Sequence, residues 1–181
     1  LYIGPDDKNS EMNILHIVQG GLGLQERDYY LAGDDNSKKL REGYISLIKT
    51  QFQNAGYTPE EAAKASASVM KIETEIAKAH FEKEKTRIPE LNYHKFETSQ
   101  LNDSVAAFDW TLFFSEMGAI DLKSVNVAQV EPVASAIKLM ETAPIEDLKY
   151  YISWCLINDA AGYLSDNIVN ANFYLYGKQM S

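Results

Sequence analysis

The chain has 181 residues, 45% of them apolar and 24% charged, enough for a sizeable core and unlike a disordered composition. With 26 acidic against 17 basic side chains, a net charge of −9 repels phosphate backbones and argues against a nucleic-acid partner. A single cysteine excludes an intrachain disulfide and a cysteine-based zinc knuckle, and no run of about 18 apolar residues offers a transmembrane segment.

β character is confined to the first residues, up to Leu24. The runs "LYI" and "NILHIV" flank the turn-formers of "GPDDKNSEM", which predicts a short N-terminal hairpin. The chain starts at Leu1, without a methionine, in what reads as the middle of a strand, as a piece of a longer polypeptide would. Next comes Gly20–Asp34, "GGLGLQERDYYLAGD", which opens on three glycines and two leucines and continues into an Arg-Asp pair and adjacent tyrosines. Beyond Gly33 the apolar spacing turns helical. A helix capped by Asn36 or Ser37 and running to about Asn54 sets Leu40, Tyr44, Leu47, Ile48 and Phe52 on one side, and Gly56 stops it.

"TPEE" puts Thr58 at a helix cap, Pro59 at the first helical position and Glu61 at the far end of a capping box. The helix behind it aligns Val69, Ile72, Ile76 and Ala79, turns Lys64, Lys71, Glu75 and Lys78 outward, and is expected to fade near Thr86, ahead of Pro89. "IPELNYHKFETSQLND" reads as a connector with one short turn, "FDWTLFFSEMG" as a compact aromatic helix closed by Gly118, and "LKSVNVAQ" as a short extended segment. A helix starting at Pro132 follows. The last and longest has Pro144 in its first turn, with Glu146 and Asp147 near its positive end. It carries Leu148, Tyr151, Ile152, Cys155, Leu156, Tyr163 and Leu164 as a broad apolar stripe. The fold class is therefore all-α, with about five to six helices and a short N-terminal β-hairpin.

Few residues offer chemistry. None of His16, His80 and His94 has a histidine partner at metal-binding spacing, and HExxH is absent, so no metal site is expected. No GxSxG marks a nucleophile, and Cys155 lies in the apolar string "YYISWCLI", which suits an inert buried thiol. The carboxylate pairs Asp6–Asp7, Asp34–Asp35, Glu60–Glu61 and Glu146–Asp147 sit at turns or helix starts, where they cap and complement dipoles. The mixed charges between Lys78 and Arg87 read as a solvated helix face. "GGLGL" lacks the Lys-Ser/Thr ending of a phosphate cradle. It reads instead as a tight bend that Leu22 and Leu24 anchor in the core. Arg27 and Asp28 would organise a turn, with one of Tyr29 and Tyr30 in the core and the other half-exposed with its hydroxyl bonded. No catalytic residue is assigned.

Five strings in order, "DDKNS…ILHIVQGGLGLQERDYYL", "IETEIAKAHFEKEKTRIPELNYHKFETSQL", "FDWTLFF", "EDLKYYISWCLINDAAGYLS" and "FYLYGKQMS", together resemble the neprilysin-like zinc metalloendopeptidases. That family includes the endothelin-converting enzymes and bacterial peptidases. The sharpest markers are Gly21, Leu22, Gly23, Leu24, Arg27, Asp28, Tyr29 and Tyr30, and Gln25 and Glu26 depart from the family's Pro followed by Ser or Asp. The resemblance implies that residues 1–181 are a single segment of the N-terminal helical lobe, or lid domain, which caps a catalytic domain and encloses the chamber that admits peptide substrates. The parent is then expected to be a zinc-dependent endopeptidase. The HExxH and downstream glutamate ligands, the substrate-holding Asn-Ala-x-Tyr strand and the transition-state histidine and arginine belong to the catalytic domain of the same polypeptide, its expected partner. The segment alone is expected to bind no zinc and cleave nothing.

Scarce cysteine points to a bacterial member in the periplasm or cell envelope, with the cytoplasm left open. The rival reading is a stand-alone helical module that binds peptides or proteins without catalysis. Were the chain part of a longer enzyme, some of Tyr150, Tyr151, Trp154, Tyr163, Phe173, Tyr174 and Tyr176 would stand on an exposed apolar patch.

Overall fold

A computed structural model describes residues 1–180. The elements are β1 (Tyr2–Asp6), β2 (Asn9–Ile17), α1 (Asp28–Leu31), α2 (Asp35–Asn54), α3 (Pro59–Ala79), β3 (Lys95–Glu97) and α4 (Leu101–Ser104), then α5 (Trp110–Glu116), β4 (Ser124–Val127), α6 (Val130–Thr142), α7 (Ile145–Ala160) and α8 (Asp166–Asn172). A π-helical segment, Phe173–Gln179, follows α8. The fold is mainly helical with an N-terminal hairpin, as the sequence predicts, but the helices are more numerous and the hairpin belongs to a larger sheet. The chain divides into two compact units, Leu1–Gly20 with Ala79–Glu141, and Gly21–Lys78 with Thr142 onward.

The first unit is built on a four-stranded sheet of order β1-β2-β4-β3. β1 and β2 pair antiparallel, with Tyr2 opposite His16 and a bulge between Pro5 and Asp6. β4 lies parallel to β2 and antiparallel to β3. The strand predicted in "LKSVNVAQ" is β4. β3 replaces part of the predicted connector: it is too short to show a period, and its partner lies far along the chain. Leu15, Ile17, Val125 and Val127 of the sheet pack with Leu101, Trp110 and Phe114.

Polar groups inside this unit are paired. Asn126 Nδ2 donates to His16 Nδ1 at 3.1 Å, which leaves the His16 Nε2 proton for the Pro5 carbonyl at 3.1 Å. Asp6 is buried and accepts from Lys95 Nζ at 2.8 Å, the Lys8 amide at 3.0 Å and the Tyr93 hydroxyl at 2.7 Å. The Lys95 ammonium, before the other donors, holds its carboxyl well below the usual carboxylate range.

In the second unit α2, α3, α7 and the π-helical segment enclose a core of Leu24, Tyr44, Ile48, Phe52, Val69, Trp154 and Leu175. Asp34 caps α2, accepting from the Ser37 amide at 2.9 Å; Ser37, one of the two expected caps, is instead buried in the first turn. α3 starts with the predicted box, Glu61 N–H to Thr58 Oγ1 at 3.2 Å and Thr58 N–H to Glu61 Oε2 at 2.8 Å.

It ends at Ala79, short of Thr86. The Phe81 amide donates to Gln19 Oε1 at 2.8 Å and its carbonyl accepts from Gln19 Nε2 at 3.2 Å, so a distant carboxamide takes the groups that further helical turns would use. α6 begins at Val130, ahead of the predicted Pro132. The apolar stripe predicted for α7 is split between two sides: Leu148, Tyr151 and Trp154 face the core, while Ile152 and Leu156 are exposed.

Candidate functional site

The segment Gly20–Asp34 is seated by its glycines. Gly21 has φ +89°, and a Cβ there would stand 2.6 Å from the Tyr151 hydroxyl, which donates to the Gly21 carbonyl at 2.9 Å. At Gly23 a Cβ would overlap the Tyr44 hydroxyl. Leu24 is fully buried in the core and Leu22 packs partly buried against it, so the two leucines anchor the bend.

Beyond the leucines the Tyr29 amide donates to Glu26 O at 3.2 Å and the Tyr30 amide to Arg27 O at 3.0 Å, which opens α1. Arg27 Nε donates to the Ala77 carbonyl in the last turn of α3 at 3.2 Å, and its guanidinium lies 3.8 Å from the Asp28 carboxylate. Arg41 of α2 binds the Tyr29 and Ala32 carbonyls. Tyr29 is half-buried and Tyr30 buried. The division of the tyrosines is as expected except in one respect: the hydroxyl that Glu73 and Leu24 bind belongs to the buried ring, because a hydroxyl taken out of water needs a partner.

That partner is a residue the sequence reading passed over. Glu73 of α3 is 1% exposed and receives the Tyr30 hydroxyl at 2.6 Å and the Tyr44 hydroxyl at 2.9 Å. Tyr30 Oη in turn accepts the Leu24 amide at 2.8 Å, and Tyr44 Oη accepts Trp154 Nε1 at 2.7 Å. Burial raises the Glu73 carboxyl to about 7 against the pull of these donors. Burial first, then the charge of Glu73, pushes both tyrosines well above their ordinary range. Glu73 also lines a cleft of about 180 Å³ with Gly21, Gly23, Cys155, Asn158 and Asp159.

Among the described residues no group of three or more His, Cys, Asp or Glu side chains is placed to hold a metal ion. His80 Nε2 lies 3.1 Å from the Gly20 carbonyl, and His94 Nδ1 lies 3.2 Å from the Val127 and Ala128 carbonyls. Cys155 is half-buried and burial pushes its thiol up, away from the reactive thiolate.

The sequence model described as Peptidase family M13 matches residues 1–181. Endothelin-converting enzyme 1 of Homo sapiens is 29% identical over 181 residues, an alignment covering 95% of this chain and 23% of that protein. The crystal structure of the Mycobacterium tuberculosis zinc metalloprotease ZMP1 in complex with inhibitor has a TM-score of 0.91 and 27% identity, covering 99% of this chain and 28% of the other. PEPO from Lactobacillus rhamnosis, 12% identical, shares the fold at a TM-score of 0.75 over 97% of this chain and 28% of its own. The chain thus spans about a quarter of the length of these relatives. With a family match from the first residue to the last, this chain belongs to peptidase family M13, the neprilysin family.

Proposed function

We propose that this chain is part of the non-catalytic helical lobe of a zinc-dependent metalloendopeptidase. In this reading its role is to enclose the chamber in which a catalytic domain of the same polypeptide hydrolyses peptides. The lobe would exclude bulk water and large substrates, and water activation would fall to zinc ligands carried outside these residues. Its location is the bacterial cell envelope or periplasm, a reading supported by the family and the single cysteine.

The observation that carries this reading is the outer side of α7. Ile145, Ile152 and Leu156 fall on one line of the helix surface at 65%, 60% and 70% exposure, and Tyr163 just beyond is 93% exposed. The adjoining face of the same helix is already in the core through Leu148, Tyr151 and Trp154. A helix apolar on both sides is built to be buried on both, and Phe173 and Tyr174, 58% and 60% exposed, add further apolar surface to the same unit. Further helices of the parent polypeptide are the cover this reading assigns.

The test uses the full-length protein. It should cleave an internally quenched peptide in a chelator-sensitive way, while the isolated segment 1–181 holds no zinc and cleaves nothing. The double substitution Ile152→Asp/Leu156→Asp should destabilise the full-length protein by several kcal/mol, because it would bury unpaired charges. Stoichiometric zinc in the segment, or a full-length double variant as stable as its parent, overturns the reading.

A further inference from the structure

In the first unit β2 outruns β4, its partner on the inner side. The Ile17 carbonyl accepts the Ala128 amide at 2.8 Å, so by the two-residue alternation of a strand Leu15 and Asn13 also turn their backbone groups toward β4. The other flank agrees: Asn13 stands opposite Pro5, which has no N–H to exchange, so the Asn13 N–H and C=O lie outside the β1 ladder. Yet β4 reaches in register only as far as Leu15, opposite Val125. The chain ahead of β4 is held away from β2 by Thr98, whose amide donates to the Lys123 carbonyl at 2.9 Å and whose Oγ1 donates to the Leu122 carbonyl at 2.9 Å. Asn13 is exposed and keeps a backbone donor and acceptor that no strand among the described residues takes.

The gap beside Asn13 is a slot in the plane of the sheet. A cavity of about 430 Å³ opens there, lined by Met12 and Ile14 from one face of β2 and by Leu15 from the other, with Ile3 of β1 and with Ile120 and Leu122 ahead of β4. Ile3, Met12 and Ile120 are 73%, 59% and 76% exposed, an apolar surface gathered around one opening. The charges in the lining balance: Asp6 is bound to Lys95 at 2.8 Å, and Asp121 is matched in number by Lys123.

We propose that this slot takes a short extended peptide with uncharged, apolar side chains, which adds to β2 in the place that β4 leaves. Unpaired backbone groups at a strand edge are completed by another strand, and a lining that draws on both faces receives side chains pointing alternately up and down. A lining of balanced charge offers nothing to draw in a charged occupant, whose desolvation would go uncompensated. The choice of a peptide as occupant rests on the reading of the parent protein as a peptidase.

Binding is measured on the full-length protein with a chelator present, so that no cleavage intervenes, using a capped, fluorescently labelled Ala-Val-Ala-Val-Ala peptide. Saturating peptide should raise the hydrogen-exchange protection of the Asn13 amide by about tenfold or more and leave that of Ile14, which β1 already holds, within about twofold. Ile120→Asp, at a side chain already 76% exposed, should weaken binding by about tenfold or more, as should lysine or glutamate in place of each valine of the peptide. No binding at millimolar peptide, binding that leaves the Asn13 amide unchanged, or equal binding by Ile120→Asp or of the charged peptides overturns the proposal. So does an Asn13 amide protected before any peptide is added, since a strand of the parent or of a second copy would then fill the slot. Cleavage of the quenched peptide, measured without chelator, tests the peptidase reading separately.

Discussion

At Gly20, Gly21 and Gly23 one substitution meets three different surroundings. A Cβ at Gly20 touches nothing within 4 Å, so Gly20→Ala should be neutral or stabilising by up to about 1 kcal/mol through the unfolded chain. At Gly21 the left-handed φ of +89° and the Tyr151 hydroxyl 2.6 Å from the new Cβ should make alanine cost about 1–2 kcal/mol. At Gly23 the Tyr44 hydroxyl would have to leave, breaking the chain from Trp154 to Glu73, at a cost of about 3 kcal/mol or more. Denaturant titration should rank the variants in that order, and a Gly23→Ala protein as stable as Gly20→Ala would mean that Tyr44 is not held as described. The glycines and Leu24 were readable as a bend anchored in a core, because their meaning is local. Glu73 was not, since in "IETEIAKAH" it sits among Lys71, Glu75 and Lys78 and reads as one more charge on a solvated face. The signal was its phase: it lies on the stripe of Val69, Ile76 and Ala77, where an unpaired carboxyl demands an explanation.

Helix starts were more legible than helix ends. The box at Thr58 is complete within four residues of sequence, and Thr58→Ala should cost about 1 kcal/mol, with Thr58→Ser restoring most of it. The cost should also depend on pH. The Thr58 amide and then its hydroxyl hold the Glu61 carboxyl below its ordinary value, so this contribution is present above that value and fades as the pH falls. The amide bond survives in Thr58→Ala, so thermal melts of the two proteins should draw closer in acid only by the share of the hydroxyl bond to Glu61, and a gap that stays constant would remove that bond from the account. The end of α3 carries no such local mark. The groups of Phe81 just past its end are taken by Gln19, some sixty positions earlier in the chain, and no window around Ala79 contains that information. β3 escaped for the same reason, because a strand of three residues is defined by its partner. α7 was legible as an apolar helix, yet its spacing could not say which side the core would take.

For the molecule as a whole, the buried and paired carboxyls pull stability in opposite directions with pH. Asp6, held by Lys95, and Asp147, held by Lys71 and Ser68, ionise below the ordinary aspartate value of 3.8. Their contribution is complete above that value and is lost as the pH falls through it. Glu73 runs the other way: its carboxyl is raised from 4.5 to about 7, so its contribution is complete below 4.5 and is lost as the pH rises through about 7. The loss amounts to something on the order of 3 kcal/mol by linkage, and the net charge of −9 adds self-repulsion on the alkaline side. The contribution of these carboxyls to the stability of the full-length protein should therefore be greatest at mildly acidic pH and decline toward pH 8. Repulsion acts on wild type and Glu73→Gln alike, which makes the difference between them the informative quantity. Guanidinium midpoints measured across the range should coincide in their acid fall, where Asp6 and Asp147 are common to both. They should then separate above about pH 6, with Glu73→Gln the more stable, and curves that stay parallel to alkaline pH would show that the Glu73 carboxyl is not buried at a cost.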